Sequence, residues 1–106
     1  MAKPVEHNPS EKNFSIKLND EYGYLWYSRK SGALSLDRLF VPPSRRNEGF
    51  AEDLTKAAFQ YCQRQNLQVI PICPYIKNTF LENHPEYSSL IAEDGGPPEG
   101  YEFLRL

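Results

Sequence analysis

Along the chain, short stretches of alternating apolar and polar residues give way to one long helical stripe and then to a proline-punctuated apolar run. Phe14, Ile16 and Leu18 alternate with Ser15 and Lys17, which predicts a half-buried strand. Asn19-Asp20-Glu21 marks a turn. In Tyr22 to Arg29, Tyr22, Tyr24 and Trp26 share one face while Leu25 and Tyr27 share the other, so both faces of this second strand carry apolar cover. Lys30-Ser31-Gly32 predicts a hairpin turn, because glycine takes positive φ at no steric cost. The next strand, 33 to 41, slips phase. Leu34 and Leu36 have one parity, Leu39 and Val41 the other. Two readings fit: a β-bulge between Leu36 and Leu39, or a strand whose far half is buried on both faces.

A helix is predicted from Asn47, read as its N-cap, to about Gln65. At 100° per residue, Phe50, Leu54, Ala57, Ala58, Tyr61 and Gln65 form a stripe, opposed by Glu52, Asp53, Lys56, Gln60 and Gln63. Phe59 lies off that stripe and suits a second contact, with the C-terminal segment or with another copy. Leu67 to Pro74 is an apolar strand. Strand, helix and strand with a short return imply a right-handed crossover and parallel neighbours. Pro71 and Pro74 lack an N–H, so this strand cannot pair fully and is expected to part from the preceding one near Cys73. Tyr75 to Asn83 reads as helical, His84-Pro85-Glu86-Tyr87 as a new turn, Asp94 to Gly100 as a flexible break, and Tyr101 to Leu106 as a tail that docks as an added strand or stays mobile. The fold class is therefore α/β (α+β): a mixed, mainly antiparallel twisted sheet with one parallel crossover and a V-shaped split between its two central strands. Residues 1–13 read as a loose arm and residues 93–106 as a tail of uncertain conformation on one domain.

Composition narrows the function. The 106 residues carry a net charge of −2, which argues against an electrostatic nucleic-acid binder. No apolar run approaches the ~18–20 residues needed to cross a bilayer. Cys62 and Cys73 form neither a metal spacing nor a disulfide framework. With no leader-like start, the chain is expected in the reducing cytoplasm, as a monomer or weak dimer, with no metal.

The chemistry is concentrated in Val41 to Ala51: a strand end, a break at Pro42-Pro43, two arginines, a glycine and a helix start. The first turn of a helix exposes unpaired N–H groups and the positive end of the macrodipole, which suit phosphate oxygens. Gly49 permits close approach to the backbone, and Arg45 and Arg46 can fork onto phosphate. The splayed strands just above that helix head leave a slot for an extended ligand arm.

Arg46-Asn47-Glu48-Gly49-Phe50-Ala51 resembles the R/Q-x-x-G-x-G/A signature of the GNAT acyltransferases. With Asp37…Val41-Pro42 before it, and Pro71 to Tyr75 and His84-Pro85-Glu86-Tyr87 after it, the chain from about Phe14 to Leu90 looks like the branch of GNAT proteins of roughly a hundred residues. The resemblance implies a minimal GNAT fold and acetyl-CoA as co-substrate. The loop amides would hold its pyrophosphate, and its pantetheine would lie between the splayed strands. It further implies transfer of acetyl to an amine or a protein lysine, and a cofactor-binding set of Leu39, Phe40, Val41, Arg45, Arg46, Asn47, Glu48, Gly49, Phe50, Ala51 and Cys73. Candidate catalytic residues are Cys73, beside the thioester, Tyr75, as proton donor to the departing thiolate, and Asp37, as a base if the bulge turns it into the slot. Each has a plainer reading: a buried strand thiol, a core aromatic, a half-exposed strand carboxylate. Three departures stand out. Arg38-Leu39 replaces the branch's usual His-Thr, Glu48 sets a carboxylate inside the phosphate-binding hexapeptide, and the final strand pair of larger GNATs is missing. The alternative is a CoA-binding or protein-interaction module that has kept the fold and lost the chemistry.

Overall fold

The computed structural model describes residues 4 to 92. Five strands form one sheet in sequence order: β1 (Val5–Asn8), β2 (Asn13–Leu18), β3 (Glu21–Lys30), β4 (Ala33–Phe40) and β5 (Gln68–Pro71). The first three pairings are antiparallel and β4–β5 is parallel. Helix α1 (Phe50–Gln65) makes the crossover between β4 and β5. A π-helical segment, Tyr75–Phe80, continues into one α-turn, α2 (Leu81–Asn83), and a 3-10 segment, Pro85–Leu90, follows.

Phe14, Ile16, Leu18, Leu25, Tyr27, Leu34 and Leu36 project from β2, β3 and β4 into one cluster with Leu54, Ala58, Phe59 and Cys62 of α1. The alternation in β2 and β3 is what delivers these side chains to a single face. Phe59, off the predicted stripe, is completely buried. Its ring lies 5.2 Å from that of Phe80 and 5.1 Å from that of Tyr87, so α1 is packed on two sides, by the sheet and by the C-terminal segment. Gln65, placed on the stripe, is exposed.

Residues 5–13 are not a loose arm. Val5 to Asn8 pair with Ile16 to Asn13, and the His7 ring stacks on Phe14 at 4.3 Å, meets Tyr61 edge-on at 4.5 Å and hydrogen-bonds the Tyr27 hydroxyl at 2.6 Å. One aromatic anchor in a polar stretch converts a terminus into an edge strand. The expectations for residues 93–106 lie outside the described residues.

Of the two readings of the phase slip, the bulge is the observed one. Trp26 pairs with Arg38 and Tyr27 with Leu36, leaving Asp37 as the extra residue. On its other side β4 pairs with β5 only as far as Leu36↔Pro71. The carbonyl of Leu36 then accepts from both Ile72 N–H (3.1 Å) and Cys73 N–H (3.0 Å), which closes the ladder. Leu39 and Phe40 keep β3 as partner but have none in β5. The bulge turns one strand and Pro71 ends the other, so β5 is shorter than predicted and the two strands diverge.

Candidate functional site

The mouth of this split and the head of α1 form one continuous region. Helix α1 begins at Phe50, not Asn47. Gly49 is the cap residue, at φ 88°, with no side chain capping the helix. Asn47 instead takes a left-handed turn at φ 67°, a conformation that asparagine tolerates better than most residues. Because neither residue uses a side chain as a cap, the helix amides stay open. Among the described residues, the first α1 N–H with a backbone acceptor is that of Asp53, bonded to Gly49 at 3.0 Å, and the N–H groups of residues 47 to 52 have no acceptor.

All of these six residues but Glu48 border a cavity of 510 Å³ lined by Leu39 and Val41 of the strand end, Arg45, Arg46, Asn47 and Gly49 of the loop, Phe50, Ala51 and Glu52 of the helix, and Tyr75 and Asn83 from the C-terminal segment. A Cβ built on Gly49 meets nothing within 4 Å. The side is open to a ligand rather than filled by protein. Arg46 donates through Nε to the Val41 carbonyl at 2.8 Å, which ties the loop to the strand end. Arg45 pairs with Glu48 at 3.3 Å and lies 5.3 Å above the Phe50 ring. The carboxylate inside the hexapeptide is thus drawn onto a neighbouring guanidinium, and Glu48 does not line the cavity.

A second cavity of 330 Å³ shares Leu39 with the first and is lined by Trp26, Asp37, Arg38, Phe40, Cys73 and Pro74. The structure therefore divides the predicted residues. Leu39, Val41, Arg45, Arg46, Asn47, Gly49, Phe50, Ala51 and Tyr75 border the first cavity, whereas Phe40, Asp37 and Cys73 border the second. Asp37 accepts hydrogen bonds from Ser28 Oγ (2.5 Å) and Ser35 Oγ (2.6 Å). Arg38, the cation that shares this cavity with Cys73, sits 4.5 Å over the Trp26 ring. Cys73 is buried. Cys62 is completely buried in the core, and burial pushes its thiol up to about 12, with Arg29 opposing. Burial first, and then the charges of Glu52, Cys73 and Asp53, raise the Tyr75 phenol above its ordinary value of 10.0 and hold it protonated. Its place at the cavity rim follows from the π-helical turn, a widened geometry often found at functional sites.

Two residues that sequence alone left aside also reach this region. Glu52 lines the first cavity, and the His84 ring hydrogen-bonds it through Nε2. The hint was the unusual His-Pro turn, but the partner lies far away in sequence and no local pattern names it. Among the described residues, no group of three or more His, Cys, Asp or Glu could hold a metal ion. No helix in them is long and apolar enough to cross a membrane.

An antiparallel sheet closed by one parallel crossover, a bulged strand parting from its neighbour and a bare helix head beneath the gap match what the hexapeptide implied. A family model described as GCN5-related N-acetyl-transferase matches residues 13–90, and the chain belongs to that family. Among curated proteins it is similar to Protein NATD1 of Danio rerio, with 32% identity over 93 residues, spanning 82% of this chain and 83% of that protein. The family and the five-stranded mixed sheet agree with a minimal GNAT fold.

Proposed function

We propose that the chain binds acetyl-CoA in the first cavity and transfers the acetyl group to an amine that enters through the second. The observation carrying this reading is the row of unpaired N–H groups at residues 47 to 52, with Gly49 open beside them and Arg45 and Arg46 on the same cavity wall. These groups suit a pyrophosphate, whose oxygens accept from backbone amides and arginine alike. The gap beyond Leu36 suits the pantetheine arm, since the free edges of β4 and β5 offer it peptide hydrogen bonds. Acetyl-CoA supplies an activated thioester carbonyl, and the remaining chemistry falls to the chain. Holding the reacting groups together is worth up to about 7–11 kcal/mol, and a backbone N–H of β4 past the bulge, acting as oxyanion donor, about 2.7–4 kcal/mol. Tyr75, kept in its acid form, is suited to protonate the departing thiolate. Asp37, at the second cavity, is the carboxylate best placed to receive a proton from the amine. Cys73 is assigned a contact role, because the cation lining its cavity, Arg38, is engaged with Trp26.

A second reading has its own observation. Asp37 already accepts from two serine hydroxyls, and Arg38-Leu39 stands in place of the branch's usual His-Thr. Both favour a protein that binds CoA and transfers slowly or not at all. Calorimetry with acetyl-CoA tests the shared part, and release of free thiol with a panel of primary amines separates enzyme from binder. Cys73→Ser is expected to keep both binding and turnover. Failure of the protein to bind at hundreds of micromolar would dispose of both readings.

A further inference from the structure

The cavity assigned to the cofactor has an electrostatic problem at its inner rim. Its lining holds two arginines, Arg45 and Arg46, and one carboxylate, Glu52. Arg45 is partly spent on Glu48. Glu52 belongs to the first turn of α1. A carboxylate there is favourable to the empty helix but repels an incoming pyrophosphate. The structure pairs this residue from outside the helix. His84 Nε2–H donates to Glu52 Oε2 across a separation of 32 residues, and Nδ1 of the same ring is 3.5 Å from Glu86 Oε2. The imidazole is held in place. Its ring lies 4.6 Å from Phe80, its backbone N–H donates to the Phe80 carbonyl at 2.9 Å, and its side chain is only 16% exposed while Glu52 remains 40% exposed. A residue buried this way and aimed at one carboxylate on a cavity wall is placed to control where that carboxylate points.

We propose that His84 is a positioning residue for the cofactor: by anchoring and screening Glu52 it keeps the carboxylate from opposing the pyrophosphate at the head of α1. The proposal rests on the acetyl-CoA reading above and adds a determinant of affinity contributed by the C-terminal segment. Without His84, the Glu52 carboxylate is free to swing along the wall. At an effective dielectric of ~20, moving a unit charge from about 12 Å to about 6 Å from a like charge costs roughly tenfold in affinity. Salt screens such a term, so the effect should shrink as ionic strength rises.

The test uses four proteins: the parent chain, His84→Ala, Glu52→Gln and the double variant. Acetyl-CoA affinity is measured by calorimetry at two salt concentrations, and the thermal midpoint of each protein is recorded. His84→Ala is expected to bind roughly tenfold more weakly at low salt, with less loss at high salt. The double variant, with no charge left to screen, is expected to return to near the parent affinity even though its midpoint stays low. Unchanged affinity in His84→Ala overturns the proposal. So does a double variant as weak as His84→Ala, since His84 would then act through structure alone. A parent chain that does not bind acetyl-CoA overturns the functional reading itself and this proposal with it, and that outcome is visible before any variant is compared.

Discussion

Replacing Gly49 by alanine separates the strain of a turn from the loss of a ligand site. Gly49 holds φ 88°, where an L-residue costs about 1–2 kcal/mol more than glycine. For a domain of about a hundred residues each kcal/mol lowers the midpoint by roughly 4–8 °C, so Gly49→Ala should melt about 4–16 °C below the parent. The added methyl meets no protein atom within 4 Å; it projects into the space where the anion would approach. If it displaces one charge-assisted hydrogen bond, worth about 1.5–3 kcal/mol, acetyl-CoA affinity falls roughly 10- to 150-fold. Gly32 is the matched control. It has φ 70° and an equally empty Cβ position, but sits at the other end of β4, about 25 Å away along an eight-residue strand. Gly32→Ala should lose similar stability and keep its affinity. Calorimetry with acetyl-CoA, run well below both midpoints, reads the difference. Equal affinities for the two variants would refute the claim that the head of α1 is the anion site.

Other outcomes follow from the same geometry. Phe59→Ala, which removes the ring packed against Phe80 and Tyr87, should cost about 3–5 kcal/mol in urea unfolding; a loss under ~1 kcal/mol would mean the C-terminal segment is not docked on α1. The His7 imidazole is pushed below its ordinary value of 6.5, by burial first and by Arg64 second. The unfolded chain therefore binds its proton more readily, and the stability present above pH 6.5 is lost as pH falls towards the depressed folded value. His7→Gln should flatten that acid limb, and an unaltered slope would contradict the placement of His7 in the aromatic cluster. Tyr75→Phe should lower the rate of thiol release by about 10²–10⁴-fold with little change in acetyl-CoA KM. Since the phenol is raised above 10.0, any alkaline loss of rate that depends on Tyr75 should lie above pH 10.

Much of the architecture was written in local pattern. The alternation in β2 and β3 gave faces as well as strands, and the slip between Leu36 and Leu39 marked the bulge at Asp37. Pro71 and Pro74 told where β5 must leave its neighbour, and the pairing stops at Pro71. What escaped was non-local. The sheet's first strand depends on His7 finding Phe14, Tyr27 and Tyr61. Phe59 looked misplaced on a two-sided helix because a third layer, carrying Phe80 and Tyr87, covers it. Asn47 was a sound candidate cap by residue type, yet the chain uses it to turn, and it is Gly49 that leaves the helix amides open. The loop proposed to hold the cofactor could be picked out by its hexapeptide, and it lines the first cavity. The Arg45–Glu48 and His84–Glu52 pairs, which settle where its two carboxylates point, could not.

The most direct test of the account is an amide-resolved NMR titration of the whole chain with CoA. The account predicts that the largest shift changes fall on the N–H groups of residues 47 to 52, followed by those of Leu39 to Val41 and of Cys73, while the β3–β4 turn at Ser31 and Gly32, at the far end of β4, stays unmoved. Saturating changes centred anywhere else, or none at all, would contradict it.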